Sequence, residues 1–122
     1  MNKPRTITLD DIEYIRVTDI KAESPKVDGM SWVIVRTYSA GVHAGYLKSR
    51  NGKEVVLIQA IRIWYWEGAC SLSQLAVDGT TLPDKCKFSV PVAEIILTEA
   101  IEVISTTGTS YNSITGTKSW KK

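Results

Sequence analysis

At 122 residues, 43% hydrophobic and 23% charged, the chain has the size and composition of a single globular domain with one modest core. Its 15 Lys and Arg against 13 Asp and Glu leave +2, too little to hold duplex nucleic acid mainly through phosphates, and Lys118, Lys121 and Lys122 sit at the very end. No apolar run reaches the roughly 18 residues of a membrane span, and the opening MNKPRTITLDDIEY lacks the apolar region of a signal peptide, so a cytoplasmic protein is expected.

Taken in chain order, IEYIRVTDI (12–20) reads as an edge-type strand, and KAESPKVDG (21–29) as a connection, with Ser24-Pro25 opposing helix and Asp28-Gly29 forming a turn. Residues 32–39 alternate as a strand, with Val33, Val35 and Thr37 on one face and Trp32, Ile34, Arg36 and Tyr38 on the other. SAGVHAG then reverses the chain. Tyr46-Leu47-Lys48 resumes a strand, and Asn51-Gly52 predicts a type I′ hairpin, the turn that needs positive φ at both central residues.

The run from Glu54 to Trp66 is long and rich in β-branched and aromatic residues. Simple alternation puts Val56, Ile58, Arg62, Trp64 and Trp66 on one face, with Ala60 between them, and Val55, Leu57, Ile61, Ile63 and Tyr65 on the other. Both faces are largely apolar, which calls for a strand covered on both sides or partly buried in an oligomer. Ser71-Leu72-Ser73-Gln74 has the form of a capping box, and Gly79 stands where a helix would end, which predicts about two helical turns between them. Residues 80–85 are a loop, and Lys87 to Val90 a short strand stopped by Pro91. Residues 93–104 are ambiguous between alternation and helix-favouring Ala, Glu and Leu; a strand is expected at 100–104, with a helical turn allowed before it. The expected fold is mainly β (α+β), an antiparallel meander or barrel-like sheet with one short helix: a single β-rich domain over 1–105 and a Ser/Thr/Gly-rich tail over 106–122.

The stretch from Trp32 to Trp66 carries three of the four Trp and three of the five Tyr. Antiparallel neighbours can gather Arg36, Tyr38, Tyr46, Arg62, Trp64 and Trp66 on one face, where a base would stack on the aromatic rings and a guanidinium would grip a phosphate. The competing reading sends Trp64 and Trp66 to the core and pairs the arginines with Glu. His43, the only histidine, lies in the glycine-flanked turn within reach of such a ligand. Backbone N–H groups of Ala40-Gly41 or Ala44-Gly45 can form an anion nest. Ser71 and Ser73 at the helix start are candidates for a bound anion, although plain capping already accounts for them. No catalytic motif accompanies His43, and Cys70 and Cys86, sixteen residues apart, match no zinc pattern. No catalytic residue, cofactor or metal is expected.

The blocks VIVRTYSAGVHAGYLKSRNGKEVVL, RIWYWEGACSLSQLAVDGT and CKFSVPVAEIILTEAIEVI resemble a family of small uncharacterised phage and prophage proteins. The likeness covers residues 32–104 and departs at SYNSITGTKSWKK. It implies a phage-encoded protein acting in the host bacterial cytoplasm, and carries over no catalytic residue. By analogy with small phage proteins that antagonise host defence, the leading expectation is a non-enzymatic, homo-oligomeric protein that sequesters a nucleotide-like anion. The alternatives are a module that docks a host protein, a virion structural or assembly component and, last, a hydrolase using His43.

Overall fold

A computed structural model describes residues 23–121, so the strand expected at 12–20 lies outside the described residues. Strand β1 (Trp32–Thr37) pairs antiparallel with β2 (Val42–Asn51), which pairs with the long β3 (Glu54–Tyr65). The β2–β3 hairpin is present, but positive φ falls on Gly52 alone, at 62°, and Asn51 and Glu54 are partners in the ladder. Gly52 is thus the first of two central residues, the pattern of a type II′ turn and not the expected I′.

After β3 comes α1 (Leu72–Asp78), capped as expected by the Ser71 hydroxyl, which accepts from the Gln74 N–H. The Gln74 side chain accepts from the Cys70 N–H, one residue earlier than in a standard box. A 3₁₀ turn (Pro83–Lys85) leads to β4 (Lys87–Phe88) and β5 (Val92–Leu97), which pair in succession with the same edge of β3. β6 (Ala100–Ser105) pairs with β1 on the opposite edge. The fold is therefore β-rich and antiparallel, with six strands in one sheet and two short helices among the described residues.

Two expectations change. Residues 92–97 form a strand with no helical turn, because pairing with β3 outweighs the helix preference of Ala, Glu and Leu. Beyond Ser105, the residues expected as a surface tail form α2 (Gly108–Thr115), capped by Thr107. Its hydroxyls explain the composition: Ser110 Oγ donates to the Leu75 carbonyl, Thr107 Oγ1 to Val77, and the Thr107 N–H to Ala76. Those of Ala76 and Val77 are last-turn carbonyls that helical bonding leaves open, and that of Leu75 also takes the Gly79 N–H.

Only Thr98 and Glu99 join β5 to β6, yet three strands lie between them in the sheet. A flat sheet would hold them ~19 Å apart, whereas three backbone steps reach at most ~11 Å. The sheet must curl until, at one corner, the end of β5 reaches the start of β6. Hydrogen bonds from the Ala100 N–H to the Lys53 carbonyl (3.0 Å) and from the Tyr38 N–H to the Glu99 carbonyl (2.9 Å) hold the seam. Inside the curl, Val33, Val35, Val55, Leu57, Leu97 and Ala100 form one core. On the other face, Trp32, Ile34, Phe88, Leu75 and Ile114 form a second core beneath the helices. The two-sided apolar character of β1 and β3 is thus satisfied within one chain.

Alternation along β3 breaks at Gln59, an extra residue between the pairs Ala44↔Ile61 and Tyr46↔Ile58, with φ of 52°. Opposite it, Gly45 packs so closely that an added Cβ would lie 3.0 Å from the Ile58 carbonyl oxygen. The bulge fits because position 45 has no side chain. It also corrects the expected faces. Ala60 joins Val55 and Leu57 inside the curl, and Ile58, Ile61 and Ile63 turn to the helix side.

Candidate functional site

The same bulge sets where the β3 cation and indole emerge. Arg62 and Trp64, two residues apart, share a face, and the Arg62 guanidinium carbon lies 5.1 Å from the Trp64 ring centroid. The indole is 58% exposed. Two recesses meet at this pair. One, of about 260 Å³, opens toward His43, Ala60, Val90, Val92 and Ile95; the other, of about 320 Å³, opens toward Ser39, Ala40 and Gly41. Arg62 Nε is buried with no hydrogen-bond partner among the described residues, and no described carboxylate forms an ion pair with the side chain. A charged donor in that state carries an uncompensated desolvation penalty, which an anionic guest would relieve.

His43 stands directly opposite Arg62 across the β2–β3 ladder and is buried. Its Nε2 lies 2.9 Å from the Ala40 carbonyl oxygen. A carbonyl only accepts, so Nε2 carries the proton and Nδ1 the lone pair. Burial holds the imidazole below its ordinary range; the Ala40 hydrogen bond works the other way, and the Arg62 charge adds to the lowering. A histidine with its folded pKa below the unfolded value of about 6.5 binds protons more readily when unfolded. Its stabilising contribution is complete above that value and is lost as pH falls through the folded pKa. The expected result is a His43 NMR titration midpoint below about 6.5, and a thermal midpoint whose drop below about pH 6.5 shrinks in His43→Gln. A midpoint above the free value would contradict this geometry.

The other expected site residues lie apart. Arg36 Nε is 2.8 Å from Glu102 Oε1, its cross-strand neighbour, so this cation is already matched. Tyr38 is 80% exposed past the end of β1. Tyr46 points to the helix side, where its hydroxyl lies 2.7 Å from that of Tyr111 and, chiefly through burial, its pKa is pushed up to about 12. Trp66 follows β3, packs against the helix-side core and donates from Nε1 to the Ala69 carbonyl at 3.3 Å. The six-residue cluster therefore divides: of its members only Arg62 and Trp64 stay together, with His43 beside them. Ser71 serves as the α1 cap and Ser73 is exposed beside it. The Ala40 N–H is bound by Thr37 Oγ1, and Ala44-Gly45 runs within β2, so neither pair forms an open nest.

What sequence reading missed is the far wall of the recess, Val90, Val92 and Ile95. These residues reach Arg62 because β5 pairs with β3, and the ambiguous periodicity of that segment concealed the pairing. Among the described residues, no group of three or more His, Cys, Asp or Glu is placed to hold a metal. No described helix is long and apolar enough to cross a membrane.

No curated protein and no solved structure matches the chain. A family model does, over residues 30–114, which takes in β1 to β6 and α2 as far as Ile114. The chain belongs to that family, described as a domain of unknown function (DUF6948).

Proposed function

We propose that the chain is a non-enzymatic binding protein that holds a nucleotide-like anion at the Arg62–Trp64 pair. The observation that carries this reading is the unpartnered, buried Arg62 Nε beside an exposed indole where two recesses join. A planar base stacks on Trp64, and the guanidinium supplies charge-assisted hydrogen bonds to a phosphate. Sequestration without turnover is supported by His43, whose one proton is held by Ala40, and by Ser39, whose hydroxyl is given to Glu99 Oε1 at 2.5 Å. The resemblance to phage proteins supports a setting in the cytoplasm of an infected bacterium and a role against host defence. In the proposed homo-oligomer, copies meet at the two free sheet edges, β5 and β6, where Ile96 and Ile101 are exposed.

The test is a thermal-shift panel of cyclic and linear nucleotides, with sizing in solution alongside. A bound nucleotide at a hundredfold excess over Kd raises stability by about 2.7 kcal/mol, and the same molecule should be recovered intact after heat denaturation. A panel without any shift, or recovery of a hydrolysed product, would overturn this reading. A second reading, a protein-docking module, is favoured by one observation: Val90 and Val92 are exposed beside Trp64 on the rim of the recess. It predicts capture of a host protein by the wild type and not by Trp64→Ala, with no response to nucleotides.

A further inference from the structure

On the helix-covered face, away from the Arg62–Trp64 recess, a cavity of about 260 Å³ lies between the sheet and the C-terminal segment. At ~30 Å³ per water this is room for about nine waters, the size of a one- or two-ring molecule. Trp32, Tyr46, Ile61, Phe88, Tyr111 and Ile114 wall it. Tyr111 meets Trp32 edge to face, with ring centroids 5.2 Å apart. No charged side chain lines the space.

Its polar groups are lopsided. Tyr46 and Tyr111 share one hydrogen bond between their hydroxyls, which leaves one O–H and the remaining lone pairs to face a guest. At the mouth, the Thr115 hydroxyl hydrogen is committed to the Tyr111 carbonyl (2.6 Å), that of Thr117 to Ser113 (2.9 Å) and that of Ser89 to Val90 (3.0 Å). Each of these oxygens keeps accepting capacity, although Ser89 Oγ already takes the Arg62 backbone N–H at 2.8 Å. Such a wall offers acceptors beside one free tyrosine O–H and holds no cation, so it favours an uncharged guest that donates hydrogen bonds over one that brings negative charge into it. Gln59, exposed and held at φ of 52° by the bulge, is part of the same lining. A non-glycine residue in that conformation is strained, and such residues cluster at binding sites.

We infer that this cavity is a second binding site, for an uncharged heteroaromatic ring that carries N–H donors, such as a nucleobase. It backs onto the first recess through Ile61 and Ser89, which border both, but its chemistry is separate because Arg62 is not part of it.

The test is an NMR titration of the full chain with four probes: adenine and benzamide, which are neutral and carry N–H, benzoate, which is charged, and toluene, which has no polar group. Adenine and benzamide should shift the Trp32 indole and the Tyr46 and Tyr111 amides saturably below about 10 mM. Benzoate and toluene should bind at least about fivefold more weakly, the worth of roughly one hydrogen bond. Tyr111→Phe should weaken benzamide by a similar factor, and Ser119→Phe, at a half-buried position of the lining, should block it while the thermal midpoint stays unchanged. Arg62→Ala should leave all four responses as they are, so this inference and the anion reading fail separately. The inference is overturned by wild-type protein that gives no saturable shift, by benzoate matching benzamide, or by a folded Ser119→Phe that binds like wild type. Should Tyr111→Phe fail to fold, Ser119→Phe decides alone.

Discussion

Arg62→Ala should weaken nucleotide binding by roughly 10- to 100-fold, since a hydrogen bond to a charged group contributes about 1.5–3 kcal/mol. The free protein should lose little stability, within about 1 kcal/mol, because Arg62 Nε has no described partner to abandon. Those opposite expectations separate a ligand-binding arginine from a structural one. A structural guanidinium, paired as Arg36 is with Glu102, would show the reverse pattern. Arg62→Lys keeps the charge but loses the planar fork and its stacking on Trp64, so it should recover only part of the affinity. Isothermal titration with the nucleotide that gives the largest thermal shift reads all three proteins. Wild-type affinity in Arg62→Ala would remove Arg62 from the site.

Much of the fold was legible because it follows local rules. Alternation marked β1, the glycine-bearing turn marked the β2–β3 hairpin, and Ser71 with Gly79 marked both ends of α1. What stayed hidden depends on contacts between distant segments. Glutamine has no preference for positive φ, so nothing local announces the bulge at Gln59; it exists because Gly45, on the neighbouring strand, leaves room for it. Helix α2 has a sequence of Ser, Thr, Asn and Gly that opposes helix in isolation. It forms where the hydroxyls of Ser110 and its cap Thr107 meet carbonyls at the end of α1 and Ile114 enters the core.

The candidate site divides along the same line. Arg62 and Trp64 were legible as a pair because i and i+2 on a strand share a face whatever lies outside the strand. Assigning Arg36, Tyr38 and Tyr46 to that face required the register between strands, which sequence alternation does not carry across a bulge, and Trp66 leaves the face because β3 ends at Tyr65. The oligomer expectation changes footing for a related reason. Its first motive was the apolar character of both faces of β3, and the curled sheet and two helices bury those faces within one subunit. Its remaining support is the exposed apolar residues on the two free edges.

Phe88→Ala should cost about 3–5 kcal/mol, the usual range for removing a fully buried phenyl ring. The position concentrates several functions in one residue. β4 has only two residues, and its backbone is held by pairing with Ile63 and by the Trp120 N–H donating to the Phe88 carbonyl at 2.8 Å. The ring, 1% exposed, lies in the core that joins α1 and α2 to the sheet. It also walls the helix-side cavity, so its loss enlarges a space that already exists, and the surroundings have little freedom to collapse around it. Against a total stability of about 5–15 kcal/mol, such a loss should move the urea midpoint sharply downward. Trp64→Ala, with its indole 58% exposed, should leave that midpoint within about 0.5 kcal/mol of wild type. The two aromatic substitutions then report on different things, Phe88 on whether the helices are docked on the sheet as described and Trp64 on the ligand. If Phe88→Ala unfolds at the wild-type urea concentration, the helix-side core is packed some other way, and the cavity bounded by that ring goes with it.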